Sequence, residues 1–219
     1  MRMLSLTEEN YLKAIYHLSD GGTKSVLTNE IAESIQTKPA SVTDMVKKLA
    51  VKNLITYEKY YGVKVTRQGK SEALSIIRKH RLWETFLVEK LGFDWGQVHD
   101  VAEQLEHIQS PLLIEKLDEF LGYPSADPHG HPIPDKNGKF HVSRQIALSE
   151  ASGKKTVMRA VRNSSPAFLD YLSKQGIYIG ATIKILERME FDGSLEIMID
   201  GKKKVYISKE ASENILVTE

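Results

Sequence analysis

Three stretches near the start of the chain place apolar side chains at helical spacing, with polar residues or glycines between them. The spacing predicts a first helix capped by Thr7, a short second helix capped by Thr28 and a third helix that begins at Pro39. In the third helix the apolar positions recur every three or four residues from Val42, which leaves a polar face toward solvent. A short helix, a tight turn and a helix with one polar face are typical of a helix-turn-helix.

The pattern changes after these helices. Two short apolar runs, at 54–57 and 63–66, predict a β-hairpin, so residues 1–70 are expected to form a winged helix-turn-helix domain. Helical periodicity then returns, and three helices are predicted at 66–91, 94–109 and 111–121. A proline-rich loop follows these helices, and 71–140 is therefore predicted to be a helical domain.

The last third of the chain alternates apolar and polar residues in short runs, which is typical of strands that are buried on one face. Strands are predicted at 155–161, 181–190, 195–199 and 204–207, and one helix at 166–175. These elements predict a small β-barrel domain over 141–219. The expected fold class of the whole chain is mainly α with β.

Composition places the chain among soluble globular proteins and excludes several kinds of site. No apolar run approaches the roughly 18 residues of a membrane span, and the N-terminus lacks the apolar core of a secretory signal. A cytoplasmic protein without membrane contact is therefore expected. Cysteine is absent, which excludes disulfides, thiolate metal sites and cysteine nucleophiles.

The charges are unevenly distributed, although the net charge is only +1. Basic side chains outnumber acidic ones over 1–70, and acidic side chains outnumber basic ones over 71–150. This order is typical of a nucleic-acid-binding domain joined to a domain that binds cations.

The third helix is the predicted DNA-reading element, because recognition helices meet base edges with the residues at their start. The predicted DNA contacts on its start and outward face are Lys38, Pro39, Ala40, Ser41, Thr43, Asp44, Lys47 and Lys48. We expect the residues up to Asp44 to read bases, whereas Lys47 and Lys48 are placed to reach phosphates.

Side chains that bind cations recur at helical spacing in the middle of the chain. His80 and Glu84 are four residues apart, which places both on one face of a helix. The helix predicted at 94–109 carries four more side chains of this kind along one face, namely His99, Glu103, Glu106 and His107. Such patterns are usually solvated surface, but three histidines that each have a carboxylate nearby favour cation sites. Imidazole and carboxylate ligands without thiolate suit Mn²⁺, Fe²⁺ or Zn²⁺, and a carboxylate-rich set favours Mn²⁺.

Four features together resemble a known family. They are the winged helix, the run Arg78-Lys79-His80-Arg81-Leu82-Trp83-Glu84, the segments His99-Asp100 and Glu106-His107, and the loop Pro128-His129-Gly130-His131-Pro132-Ile133-Pro134. This combination closely resembles the diphtheria-toxin-repressor family, and within it the manganese-responsive branch. The resemblance implies a homodimeric, metal-dependent repressor of metal-uptake genes that binds a palindromic double-stranded DNA operator and is not an enzyme.

The resemblance has further implications for the domains and the cofactor. It implies that 71–140 carries the dimer interface and the metal sites, and that 141–219 is an SH3-like, FeoA-like domain. The implied cofactor is Mn²⁺, with Fe²⁺ as the alternative ion.

The resemblance also implies two metal sites. Asn10, Glu103, Glu106 and His107 match the primary site, and His80, Glu84, His99 and Asp170 match the ancillary site. Glu103 stands where iron-responsive members have a cysteine, which replaces a soft ligand by a hard one and favours manganese. Asn10 stands where members usually have methionine or aspartate, and its amide oxygen can ligate but carries no charge. Weaker binding, a backbone or water substitute, and help from Glu9 are therefore all open.

Two other functions use similar residues. A carboxylate-bridged di-metal enzyme needs matched Glu-x-x-His motifs on two helices, whereas Glu103 and His107 are four residues apart. A winged-helix regulator that senses an organic ligand would leave the carboxylates as surface charge. A metal titration separates the three functions, because only the metal-dependent repressor couples DNA binding to metal. His129 and His131 are not spaced like the helical ligands and are interpreted as part of the proline-rich loop.

Overall fold

The computed structural model describes residues 4–58, 60–140, 144–152 and 155–218. The chain forms two compact units, and both draw on its helical middle. The first unit comprises residues 1–80, 104–111 and 134–139, and the second comprises 81–103, 112–133 and 140–219. None of the helices in the described ranges is both long enough and apolar enough to cross a membrane.

The first unit begins with a helix-turn-helix and a two-stranded wing. Its elements are α1 (Leu6–Leu18), α2 (Thr28–Ser34), α3 (Pro39–Val51), β1 (Ile55–Glu58) and β2 (Gly62–Val65). The two strands pair antiparallel, with Ile55 opposite Val65, and Val26 adds a β-bridge to Val63. α4 (Arg67–Leu91) follows and contributes residues to both units. The helix-turn-helix and the hairpin predicted from the apolar pattern are therefore present.

The starts of α1 and α2 differ from the sequence prediction. Ser5, not Thr7, caps α1, because Ser5 Oγ accepts a hydrogen bond from Glu8 N while the Glu8 carboxylate accepts one from Ser5 N at 2.8 Å. This reciprocal arrangement is a capping box. Thr28 is the first residue of α2, and its N-cap is Leu27. The predictions of Thr7 and Thr28 as N-caps are therefore wrong.

The core of the first unit lies between the winged helix and the first turns of α4. Its fully or almost fully buried apolar side chains include Leu12, Ile15, Val26, Ile31, Val42, Val46, Leu49, Leu54, Ile55, Val63, Ile76 and Ile77. The three of these that belong to α3 are 0% exposed. Because that face of α3 is buried, the opposite face is held toward solvent.

The middle of the chain contains α5 (His99–Leu105) and α6 (Pro111–Phe120) after α4. α5 is much shorter than the predicted helix at 94–109. The predicted helix was expected to be capped by Asp94, but the Asp94 carboxylate accepts a hydrogen bond from Gly96 N at 2.8 Å and closes a turn. At its other end α5 stops before Glu106 and His107, which lie in the following turn. The expected single helical stripe of four ligands is therefore wrong for these two residues.

The second unit contains a six-stranded antiparallel sheet in the order β3-β8-β4-β5-β6-β7. Its elements are β3 (Ile146–Ala147), a 3₁₀ turn (Leu148–Glu150), β4 (Lys155–Val161), α7 (Pro166–Gln175), β5 (Thr182–Arg188), β6 (Leu195–Ile199), β7 (Lys203–Ile207), α8 (Lys209–Asn214) and β8 (Ile215–Thr218). The four predicted strands and α7 are confirmed. The sequence pattern missed β3, α8 and β8, which have 2, 6 and 4 residues and are too short to show a periodicity.

Apolar side chains from the sheet and α7 form the core of this unit. They include Leu148, Met158, Val161, Leu169, Leu172, Ile183, Leu195, Ile197, Ile207, Ile215 and Val217. The strand register shifts after Met158 in β4 and after Ile185 in β5. Such bulges bend a strand and increase its twist, which lets a small sheet curl around one core.

Candidate metal centres and DNA-reading face

The fully buried carboxylate of Glu106 is the centre of a polar cluster in the first unit. Lys13 Nζ on α1 donates to both Glu106 oxygens, at 2.6 and 2.9 Å, and His80 Nδ1 lies 2.6 Å from Oε2. Burial raises the pKa of Glu106, but the hydrogen bond with His80 and the charge of Lys13 outweigh it, so the pKa lies below its ordinary value. Glu106 is therefore a buried anion that needs a cationic partner.

His107, the next residue, is held by a second carboxylate. Its Nδ1 lies 2.5 Å from Glu9 Oε2, and its Nε2 lies 3.8 Å from Glu106 Oε1. Gln109 Nε2 donates to the other Glu9 oxygen at 2.6 Å, and Lys79 Nζ lies 3.6 Å from that oxygen. A histidine that binds a metal through one ring nitrogen usually donates its other N–H to a carboxylate or carbonyl. Glu9 thus orients His107 so that Nε2 is the nitrogen available beside Glu106.

Asn10 follows Glu9 on α1, and its amide oxygen Oδ1 is buried without a hydrogen-bond partner. A buried polar atom left in this state costs about 1–3 kcal/mol. An amide oxygen is also a normal ligand for a hard divalent cation. Asn10, Glu106 and His107 therefore offer ligand types that suit a divalent cation, namely an orphaned oxygen, a carboxylate and an oriented imidazole.

Three predicted ligands lie together in the second unit. His99 Nδ1 is 3.5 Å from Glu84 Oε1, and His99 Nε2 is 3.6 Å from Glu103 Oε1. Glu84 is buried, whereas His99 is exposed. Asp170 is also exposed and pairs with Lys174 on its own helix at 2.6 Å. The assignment of Asp170 to an ancillary site stays a prediction.

The proline-rich loop supplies a cluster that the sequence interpretation missed. Ligand atoms of Asp127, His129 and His131 all lie within 4.8 Å of one another. His129 Nε2 is 2.8 Å from Trp95 O, while its Nδ1 is 3.7 Å from both Glu84 Oε2 and Asp127 Oδ1. Because a carbonyl oxygen only accepts, Nε2 carries a proton and Nδ1 faces the two carboxylates. The sequence signal was Asp-x-His-x-His, which is not a helical spacing.

Electrostatics favour a cation in this loop cluster. Burial lowers the pKa of His129, but the hydrogen bond with Glu84 and the charges of Asp127 and Glu84 outweigh it, so the pKa lies above its ordinary value. His131 Nδ1 lies 3.2 Å from Asp127 Oδ2, and His131 Nε2 lies 3.1 Å from Val161 O. The two buried carboxylates therefore attract a positive charge, whether a proton or a metal ion.

Gly130 lies between the two loop histidines and sets the path of the loop. Its φ is +83°, and a Cβ on it would lie 1.9 Å from Arg159 O and 2.4 Å from Ala160 Cα. We expect Gly130→Ala to push the loop off β4 and to lower the free energy of unfolding by about 2 kcal/mol or more. Urea unfolding of the metal-free protein measures this. The matched control is Gly122→Ala, at φ +73° with no atom within 4 Å of the new Cβ, and equal losses in both variants would contradict the expectation.

The polar face of α3 is open to solvent. The exposed residues among the predicted DNA contacts are Lys38, Pro39, Ala40, Ser41, Asp44, Lys47 and Lys48. Thr43 is half-buried, and its Oγ1 donates to Pro39 O at 3.0 Å. At the tip of the wing, Tyr60 and Tyr61 are also largely exposed. α3 and the wing therefore offer a surface of the kind that enters a DNA groove.

Three family models match the chain one after another. Residues 3–63 match the DNA-binding domain of iron-dependent repressors, 66–135 match their metal-binding and dimerisation domain, and 147–219 match the FeoA domain. Together these domains define a metal-dependent, DNA-binding transcriptional repressor.

Curated relatives match large parts of the chain. The diphtheria toxin repressor of Corynebacterium diphtheriae is 33% identical over 213 residues, and the match covers 92% of each chain. The chain belongs to the diphtheria toxin repressor family. The iron-dependent repressor IdeR of Mycobacterium leprae is 33% identical over 160 residues, covering 73% of this chain and 68% of IdeR. The match to the diphtheria toxin repressor of Corynebacterium jeikeium, at 35% identity, spans 55% of that protein's length.

Solved structures extend the likeness over all three domains. A manganese-dependent transcriptional repressor in complex with manganese has a TM-score of 0.82 and 32% identity, covering 97% of this chain and 99% of that chain. ScaR with bound Zn²⁺ has a TM-score of 0.74 and 34% identity, with the same two coverages. The predicted family and fold class are confirmed, including the winged helix and the SH3-like FeoA domain.

Proposed function

We propose that this protein is a manganese-activated transcriptional repressor in which the metal ties the DNA-binding domain to the segment after α5. The orphaned amide oxygen of Asn10 carries this proposal, because it lies on α1 of the winged helix. The neighbouring Glu9 holds His107 from the segment after α5. A metal ion bound by Asn10, Glu106 and His107 would therefore link these two parts of the chain. Glu103, which the family resemblance adds to this primary site, stays a predicted ligand.

The ligand types support Mn²⁺ as the activating ion. The candidate centres offer carboxylate, amide and imidazole groups, and the chain has no cysteine. Hard oxygen ligands suit Mn²⁺, and Fe²⁺ is the alternative. The similar solved structures include a repressor in complex with manganese, which supports the same choice. Because Mn²⁺ is the weakest binder in the Irving–Williams order, geometry and metal availability must provide the selectivity.

The residues of the chain explain how a metal would control DNA binding. α1 contacts the segment after α5 through Glu9 with His107 and through Lys13 with Glu106. A bound divalent cation supplies several strong bonds to ligands from both parts. Because α1 and α3 share one apolar core, fixing α1 also fixes the DNA-reading helix. A tenfold gain in DNA affinity requires about 1.4 kcal/mol of metal preference for the DNA-competent arrangement.

A homodimer is the proposed form that binds the operator. Large apolar side chains are exposed on the helical segments of the second unit, namely Leu91, Phe93, Leu112, Leu113, Phe120 and Tyr123. An exposed apolar patch of this kind is typical of a subunit interface.

The proposed dimer determines the kind of operator. A two-fold dimer presents α3 twice, so the operator is expected to be palindromic with half-sites about 34–36 Å apart or a multiple of that distance. The proposed targets are metal-uptake genes, and the proposed location is the cytoplasm, where the DNA is.

The loop cluster is proposed as part of a second metal centre. Glu84, Asp127 and His129 are buried, both carboxylates lie 3.7 Å from His129 Nδ1, and His99 lies beside Glu84. His80 and Asp170, which the resemblance assigns to the ancillary site, stay predictions. His80 Nδ1 lies 2.6 Å from Glu106 Oε2.

Operator binding at defined metal concentrations tests the proposal. Duplexes selected from a randomised library by the Mn²⁺-treated protein serve as the probe. We expect DNA affinity to rise by about 100-fold or more with Mn²⁺ or anaerobic Fe²⁺, relative to protein with a chelator. Equal affinity with and without metal would overturn the proposal and favour the organic-ligand sensor. The di-metal enzyme has no support, since the family consists of transcriptional repressors.

A substitution of Lys47 tests which end of α3 reads bases. Lys47→Ala is expected to weaken binding to all DNA sequences alike and to reduce the slope of log affinity against log salt by about one, because one phosphate contact is lost. Binding of operator and scrambled duplexes across salt concentrations measures both effects. Lys209→Ala, at an exposed lysine on α8, is the matched control. A loss confined to the operator duplex would show that Lys47 reads a base.

A further inference from the structure

Lys13 occupies the position beside Glu106 that a metal ion would need. Its ammonium group lies 2.6 and 2.9 Å from the two Glu106 oxygens, so both oxygens already share one positive charge. The Glu106 side chain is 0% exposed and the Lys13 side chain is 13% exposed. The ion pair is therefore buried at the carboxylate, while the lysine lies closer to solvent.

Lysine side chains already approach two carboxylates near the proposed centre. Lys13 Nζ lies 2.6 Å from Glu106 Oε1, and Lys79 Nζ lies 3.6 Å from Glu9 Oε1. A divalent cation bound to Glu106 beside Lys13 would place two positive charges next to each other at a buried carboxylate, which is unfavourable. The ammonium of a lysine is strongly hydrated and sits on a flexible stem, so moving it to water is the simplest way to relieve this repulsion.

We propose that Lys13 is an internal counter-cation that holds Glu106 in the metal-free protein and that an incoming divalent cation must displace. This inference rests on the proposed function, because it assumes that Glu106 binds the activating metal. Lys13 then has two effects. It stabilises the metal-free fold, and it weakens metal binding by competing for the same carboxylate, so that it sets the metal concentration at which the repressor responds.

The test compares Lys13→Met with the parent protein. Methionine keeps the length and the apolar stem of the side chain but removes the charge. Mn²⁺ affinity is measured from the electron paramagnetic resonance signal of free Mn²⁺ during titration, and the melting temperature is measured with a chelator and with saturating Mn²⁺. Lys24→Met is the matched control, since Lys24 is an exposed lysine whose partner is Asp20 at 3.3 Å. Lys13→Gln repeats the neutral change in case the methionine variant does not fold.

The expected result has two parts. Lys13→Met binds Mn²⁺ about tenfold more tightly than the parent, which corresponds to about 1.4 kcal/mol. Its melting temperature falls in the chelator, and saturating Mn²⁺ restores it to that of the loaded parent. If the parent binds Mn²⁺ and the neutral variants bind it equally or more weakly, Lys13 is a structural partner of Glu106 and the inference is overturned. If neither the parent nor any variant binds Mn²⁺, the proposed function itself fails.

Discussion

Replacing His107 with alanine is expected to abolish metal-activated DNA binding while the dimer stays folded. His107 Nε2 is the nitrogen that Glu9 leaves available beside Glu106, so the substitution removes one of the few ligands of the proposed centre. Loss of an orienting partner already costs about 10–100-fold in metal affinity, and loss of the ligand itself should cost about 100-fold or more. DNA affinity measured across a Mn²⁺ titration detects this as a curve that stays near the metal-free level.

The His107→Ala variant needs a control for the fold. Circular dichroism and sedimentation should show the same helix content and the same dimer as the parent. His17→Ala is the matched control, because His17 is an exposed histidine in the last turn of α1. If His107→Ala responds to Mn²⁺ like the parent, the residues around Glu106 do not form the activating centre.

Replacing Glu106 with alanine is expected to lower the free energy of unfolding of the metal-free protein by about 3 kcal/mol. The substitution leaves Lys13 without the carboxylate that neutralises it, and it also removes the partner of His80 Nδ1. The partly buried ammonium then loses both contacts with the carboxylate oxygens, and the space left by the carboxylate stays empty. Urea unfolding in a chelator measures the loss.

An exposed glutamate provides the control for Glu106→Ala. Glu119 pairs with Lys116 on the surface of α6 at 2.7 Å. Exposed ion pairs contribute about 0–1 kcal/mol, so Glu119→Ala should change stability by less than that. If Glu106→Ala costs no more than Glu119→Ala, the polar cluster does not stabilise the metal-free fold.

Local signals in the sequence were sufficient for the regular elements. The alternating run at 155–161 and the helix after Pro166 match β4 and α7 at both ends. The error at 94–109 arose because an aspartate before a helical pattern can close a turn as well as cap a helix, and Asp94 bonds Gly96. The error at Thr7 arose because two capping residues two positions apart compete, and Ser5 has the matching glutamate three residues later.

The candidate site was only partly predictable because its contacts join distant parts of the chain. Spacing on one predicted helix suggested Glu106 and His107 as candidate ligands, but their partners Lys13 and Glu9 lie more than 90 residues earlier in the sequence. No periodicity relates residues that far apart, so the orienting carboxylate and the competing ammonium emerge only from the folded chain. His129 was missed for another reason, since its ligand spacing belongs to an extended loop.

The measurement that tests the coupling most directly is the Mn²⁺ affinity of the protein with and without operator DNA. If one metal-bound arrangement binds DNA better, thermodynamic linkage requires DNA to raise the affinity for the metal by the same factor as the metal raises the affinity for DNA. We expect both factors to be about 100-fold and to agree with each other. In His107→Ala we expect neither ligand to change the affinity for the other. A Mn²⁺ affinity that is the same with and without saturating operator would show that the metal does not control DNA binding.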